Sequence, residues 1–282
     1  MISSRLTLGL VGSLIERTMN TDFTTAGKPA TLCHLRRAVA EIEGQGTGLA
    51  LGARALAFGV PAIDVVLHDG LAPASLHEVA AATWRDLGTA VGFTCALVAR
   101  AADGHDTLWI QTDFAALESG TIYGPGGDLF GLPSSKLLIV KAPRPLDALW
   151  AMEEGLKCRA LSSVVAELPN DGSVADLTAT RRLTLAAREG GGFGFLLRHR
   201  PAPLTSSAET RWEISAASSA PDRFGGLGRT AFALSLVKNR RGRTGQWTIA
   251  WDHHERTFSA LSLGMAQEAF DRPDRTPLVR AG

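Results

Sequence analysis

Apolar positions fall into short blocks whose spacing changes along the chain. Residues 28–43 place Leu32, Leu35, Val39 and Ile42 on one helical face, with Arg36, Arg37 and Glu43 elsewhere. That spacing predicts an N-terminal amphipathic helix, stopped by Gly44, Gly46 and Gly48, with a further turn or two in the apolar stretch 49–58. An alternating section follows. Residues 63–67 are apolar and β-branched, Asp69-Gly70 makes a turn, and 75–79 read as a strand. Over 83–102, Trp84, Leu87, Val91, Cys95 and Val98 recur at helical spacing behind a capping box of Thr83 and Asp86. Strands are predicted at 107–112, 136–141, 162–168 and 193–197, and helices at 146–159 behind Pro145 and at 175–188 before the triple glycine 190–192. Residues 115–135 form a Gly/Pro-rich connection. This alternation predicts βαβ units and a mostly parallel sheet.

After Pro203 the helical blocks stop. Strands at 211–216, 230–237 and 247–251, and a weaker one near Phe258, have no helix between them and so predict antiparallel hairpins. Residues 238–246, rich in Arg and Gly, form the hairpin loop, and 262–282 read as a flexible tail. The expected divisions are a disordered or mis-started extension over 1–27, with Met19 an alternative start, a helical segment over 28–60, and a core with hairpins over 61–261.

Composition narrows the classes. With 282 residues the chain is long enough to bury a core without disulfides or metals. Lys plus Arg number 29 and Asp plus Glu 28, which excludes a polycation that coats nucleic acid. The balance is uneven, however. Between Pro221 and Arg243 stand six basic residues and one acid, Asp222, so a mildly acidic body carries a basic hairpin region. Cys33, Cys95 and Cys158 are too far apart for a zinc motif and read as reduced thiols, which suits the cytosol. No apolar run is long enough for a membrane helix.

Phosphate binding is the first chemistry to test in a parallel α/β chain. The P-loop pattern G-x-x-x-x-G-K-[ST] is absent, and the one Gly-Lys pair, Gly27-Lys28, precedes Pro29 far from any strand–helix junction. The junction over 79–88 has Gly88, no lysine, and only Arg85 for charge. Asp113 and Glu167 follow strands, where the functional crevice of an α/β sheet opens, so they could be neighbours with acid/base or magnesium work. Glu153-Glu154 reads as a polar patch, and the adjacent His253 and His254 point to opposite faces. No metal or cofactor is expected. Lys238, Asn239, Arg240, Arg241 and Arg243, with Arg198 and Arg200 near His199, are candidate contacts to nucleic acid or an acidic protein surface. Trp212, Trp247 and Trp251 are candidate partner anchors or, more simply, core residues.

This order of elements resembles the RecA/RAD51 core and, within it, the ImuA family of bacterial mutagenesis proteins, over roughly 30–255. The resemblance rests on Gly70-Leu71 with Leu76-His77-Glu78-Val79, Trp109-Ile110-Gln111-Thr112-Asp113, and Ile122-Tyr123-Gly124-Pro125-Gly126. It rests also on Leu149-Trp150-Ala151-Met152-Glu153-Glu154-Gly155-Leu156, Val164-Val165-Ala166-Glu167 and Thr210-Arg211-Trp212. It implies an α/β fold: a RecA-like core with a mostly parallel sheet flanked by helices, an N-terminal helix and C-terminal antiparallel β-hairpins. It implies a role in SOS-induced translesion DNA synthesis and mutagenesis in the cytoplasm. The implied partners are an ImuB-like inactive polymerase homologue and RecA, with an error-prone polymerase reached indirectly and a weak DNA contact. Arg85, Asp113 and Glu167 would be vestiges of a nucleotide site, since the phosphate loop is missing. Lys238-Asn239-Arg240 stands where RecA carries a Lys-Asn-Lys hairpin that reaches the neighbouring protomer's ATP, which suggests a cap on one end of a RecA filament. A divergent ATPase and a SulA-like inhibitor of cell division are the competing readings.

Overall fold

The computed structural model describes residues 54–102, 105–169, 174–202, 205–219, 221, 226 and 228–261. The predicted helix over 28–43, the extension over 1–27 and the tail over 262–282 lie outside them, as does Cys33.

Nine strands form one sheet in the order β3-β2-β4-β5-β1-β6-β7-β8-β9. They are β1 (Ser75–Ala81), β2 (Asp106–Thr112), β3 (Leu137–Ala142), β4 (Leu161–Leu168), β5 (Phe193–Arg198), β6 (Thr210–Ala216), β7 (Thr230–Asn239), β8 (Gly245–Asp252) and β9 (Thr257–Ala260). Strands β3 to β6 along that order pair in parallel; β6, β7, β8 and β9 pair antiparallel. Among the described residues six α-helices accompany them: α1 (Pro61–Leu67), α2 (Leu87–Ala101), α3 (Asp113–Ser119), α4 (Gly124–Leu129), α5 (Pro145–Lys157) and α6 (Leu177–Gly190).

Successive residues of a strand point to opposite faces, and the central strands bury both. Val79, Val165, Phe195 and Leu197 join the first core, which contains Phe58, Phe93 and Ala96 with Trp212, Phe232 and Trp251. Leu76, Val164, Ala166 and Leu196 join a second core with Met152 and Leu156 of α5 and Leu183 and Ala187 of α6. The three candidate anchor tryptophans are core residues: Trp212 and Trp251 are buried, and Trp247 packs against the first core. Glu153 links the two outer helices through Arg182 (2.6 Å). Close approach of α5 and α6 needs Gly190, where a Cβ would overlap the Leu156 carbonyl.

Four segments differ from the sequence expectation. The β-branched stretch 63–67 is helical, because Pro61 starts α1 and the left-handed His68 (φ 56°) ends it after two turns. Leu56 forms an isolated antiparallel bridge with Leu71 rather than a helical turn. The Gly/Pro-rich connection holds α3 and α4, both too short to show a period in sequence. The hairpin loop is also shorter than expected, since β7 runs to Asn239 and β8 begins at Gly245.

Candidate functional site

The carboxyl ends of β2, β4 and β5 meet in a pocket of about 890 Å³. Parallel register sets Gln111 of β2 beside Glu167 of β4, and Glu167 beside Leu197 of β5, two residues before His199. Glu167 is buried, yet its carboxylate is well supplied with donors. Gln111 Nε2 donates to Oε2 (3.0 Å), while His199 Nε2 (2.9 Å) and Ser119 Oγ (3.3 Å) reach Oε1. Gln111 Nε2 also donates to the Gly120 carbonyl (2.8 Å), but Gln111 Oε1, buried as well, has no hydrogen-bond partner. The other ring nitrogen of His199 faces Glu118 Oε2 at 3.6 Å. Opposite this polar group, Leu87, Val91, Ile122 and Phe130 form an apolar wall, with Cys95 behind it. Burial pushes the Cys95 thiol up to about 12, so it is inert at neutral pH.

The strand–helix junction that the sequence singled out forms one side of the pocket, through Trp84, Leu87 and Gly88. Asp86 fills its centre. Its Oδ2 accepts from the Thr83 N–H (3.1 Å) and hydroxyl (2.6 Å), and its Oδ1 from the Ala216 N–H (3.0 Å). Desolvation pushes this carboxyl up, but the hydrogen bonds from Thr83 and Ala216 outweigh it and hold the group below the usual carboxylate range. At the junction leading into α2, where a phosphate-binding protein offers amides to its ligand, a carboxylate of the chain itself thus takes one amide, that of Thr83, and ties it to the Ala216 N–H of β6. Arg85 points elsewhere, with its guanidinium 5.3 Å from the Trp84 ring centroid.

Of the sequence candidates, Glu167 is in the pocket. Asp113 is exposed at the start of α3, and Glu167 takes Gln111, not Asp113, as its neighbour. Arg200 is exposed at the pocket rim. Arg198 is not a surface residue. It lies on a strand buried on both faces, donates to Ala175 O (3.1 Å) and pairs with the buried Glu78 (3.4 Å), which also binds Arg211.

The basic hairpin is tied down to its own chain. Lys238 Nζ donates to Ser206 O (2.6 Å), Asn239 Nδ2 to Val66 O (3.1 Å) and Arg243 O (2.9 Å), and Arg240 to Ser207 O (3.3 Å). Arg241 donates to Gly70 O (2.9 Å) and pairs with Glu209 (3.3 Å). Arg240, Arg241 and Arg243 are nevertheless exposed, whereas burial lowers the affinity of Lys238 for its proton against the pull of Glu78. His253 is likewise spent internally, on Leu129 O and Thr230 Oγ1. Among the described residues no group of three His, Cys, Asp or Glu is placed to hold a metal, and no helix is long and apolar enough to cross a membrane.

Two curated relatives decide the family. Protein ImuA of Caulobacter vibrioides, from strain NA1000 / CB15N and from strain ATCC 19089 / CIP 103742 / CB 15, is in each case 31% identical over 210 residues. Each alignment covers 69% of this chain and 82% of the relative. The chain belongs to the ImuA family. Among solved structures, the RadB recombinase shares the fold of this ImuA family member, with a TM-score of 0.50 over 73% of this chain and 100% of that one, at 14% identity. The RecA-like core expected from the sequence is thus present, as are its C-terminal antiparallel strands. No family model matches the chain.

The sequence reading missed Gln111, Ser119, Glu118 and His199 as companions of Glu167. They come from 32 to 56 residues away along the chain. The available signal was positional: a polar residue at or just beyond the end of each of three parallel strands.

Proposed function

We propose that this ImuA family member is a non-catalytic, RecA-like adaptor in SOS-induced translesion DNA synthesis and mutagenesis, acting in the cytoplasm. Its proposed partners are an ImuB-like polymerase homologue and RecA, with an error-prone polymerase reached through them and at most a weak contact with DNA. The observation that carries the reading is the Asp86 carboxylate at the head of α2, joined to family membership. A second negative charge brought there, as a triphosphate would, meets the repulsion of this carboxylate, which its hydrogen bonds hold in the ionised form. Arg85, Asp113 and Glu167 are read as vestiges of a nucleotide site.

The exposed Arg200, Arg240 and Arg243 are the proposed contacts to a partner or nucleic acid. Lys238, Asn239, Arg241 and Arg198 support them from within by holding the hairpin and the end of β5 in place. Affinity capture of RecA and of the ImuB homologue tests the reading. Arg240→Glu with Arg243→Glu is expected to lower capture severalfold and to lower damage-induced mutation frequency in a complemented deletion strain. Capture of neither partner by the native chain rejects the adaptor. Tight, competable binding of labelled ATP with magnesium would favour the divergent ATPase, and capture of the division GTPase would favour the SulA-like inhibitor.

A further inference from the structure

The pocket beside Glu167 is built unlike a phosphate site. Its polar half is rich in acceptors. Glu167 already holds three donors, but Gln111 Oε1 has none, and Glu118, 54% exposed at its side chain, has only the distant His199 nitrogen. A group entering this half must therefore donate hydrogen bonds. Acceptor oxygens with spare capacity gain from an incoming donor and not from another acceptor. Anions are disfavoured by the lining carboxylates of Glu118 and Glu167. Arg200, the exposed cation at the rim, sits where it can take a carbonyl or carboxylate of an incoming chain.

The mouth has a second character. Trp84, Phe114 and Tyr123 line it and are 67%, 60% and 71% exposed. Three aromatic rings left in water around one cavity mark a surface that is covered in use. Their faces attract a planar cation, and Arg85 already shows the arrangement on Trp84. Inside, Val91, Ile122 and Phe130, whose ring packs down on Gly92, offer a surface for an apolar group.

We propose that this pocket seats an arginine side chain, with an adjacent apolar residue, from a segment of a partner protein. The inference deepens the adaptor reading and rests on it in one respect, that the occupant is protein. Arginine fits better than lysine, because its planar fork can present two parallel donors to the exposed Glu118 carboxylate while its face stacks on an aromatic ring of the mouth. The apolar neighbour takes the Val91–Ile122–Phe130 wall.

The test uses the full chain and four probes: acetyl-Phe-Arg-amide, its citrulline isostere, acetyl-Phe-Glu-amide, and ATP with magnesium. Binding is followed at the Trp84 indole N–H by NMR, with the signal assigned from Trp84→Phe. The arginine probe is expected to saturate, with citrulline roughly tenfold weaker, the difference between a charged and a neutral hydrogen-bonding group, and with no binding of the glutamate probe. Glu118→Gln and Tyr123→Ala, both at exposed positions, should each weaken the arginine probe severalfold without loss of fold. Equal affinity for arginine and citrulline overturns the proposal. So does displacement of the arginine probe by ATP, shifts that map away from Trp84, or the absence of saturation. Capture of RecA and the ImuB homologue by the native chain reports separately on the adaptor, so a failed probe with intact capture rejects the pocket alone.

Discussion

His77 makes the fold sensitive to acid in a defined way. Its ring is fully buried on β1. Nε2 lies 2.9 Å from the Ala72 carbonyl, which can only accept, so Nε2 carries the proton. Nδ1 then accepts from the Thr210 hydroxyl (2.8 Å), whose oxygen in turn accepts from Trp212 Nε1 (3.0 Å). Protonating Nδ1 breaks this chain. Burial, opposed in part by the Ala72 bond and aided by Arg241, lowers the histidine to about 4 from 6.5. Between these values the unfolded chain binds more protons than the folded one, so stability falls as pH falls through that window. The loss is about 2 kcal/mol by pH 5 and approaches about 3 kcal/mol near pH 4, because each tenfold difference in proton affinity between the two states is worth about 1.4 kcal/mol. The assay is urea unfolding from pH 7.5 to 4.5 of the native chain and of His77→Gln. Carboxylate effects are common to both, so their stability difference isolates His77. The native chain should lose its advantage by about 2 kcal/mol between pH 7.5 and 5. Parallel curves, or an NMR titration placing His77 near 6.5, would refute the reasoning.

Three further outcomes are expected. Glu78→Gln leaves the buried Arg198 and the half-buried Arg211 without this counter-ion and should cost about 3–5 kcal/mol in denaturant unfolding. Gly190→Ala drives a methyl into the Leu156 carbonyl and should cost about 1–3 kcal/mol, read as a lower melting temperature with pocket-probe binding unchanged. In a Cys33→Ser chain, exposed Cys158 should react with a maleimide at neutral pH while Cys95 stays unmodified until the protein is unfolded, as followed by mass spectrometry.

Much of the parallel core was legible because strands buried on both faces read as apolar runs bounded by turn residues. Phe193 to Leu197 and Val164 to Ala166 are of this kind. Local chemistry also showed through: the pairing of Thr83 with Asp86 is in the structure as it is in the sequence. What failed were judgements that need a partner from elsewhere. Arg198 reads as a surface cation until β1 brings Glu78 beside it. Lys238 and Asn239 read as a reaching loop until the main-chain carbonyls of Ser206 and Val66 take their protons. The pocket suffered in the same way. Glu167 was visible at a strand end, but the identity of its neighbours depends on strand order, which no local window contains.

Strand β6 is bonded on one side in parallel to β1 and on the other antiparallel to β7. Its Trp212 packs against Phe58 and Phe93 from the opposite end of the described chain and against Trp247 from the hairpins. There is accordingly no seam between the parallel and antiparallel halves of residues 54–261 at which to cut. A fragment ending before residue 210 uncovers the flank of β1 and half the aromatic core, and one beginning there has nothing to fold upon. Partner mapping by truncation within the sheet would then report lost binding through collapse of the remainder rather than removal of a contact. For this molecule, point substitutions on the intact chain are the dissecting tool.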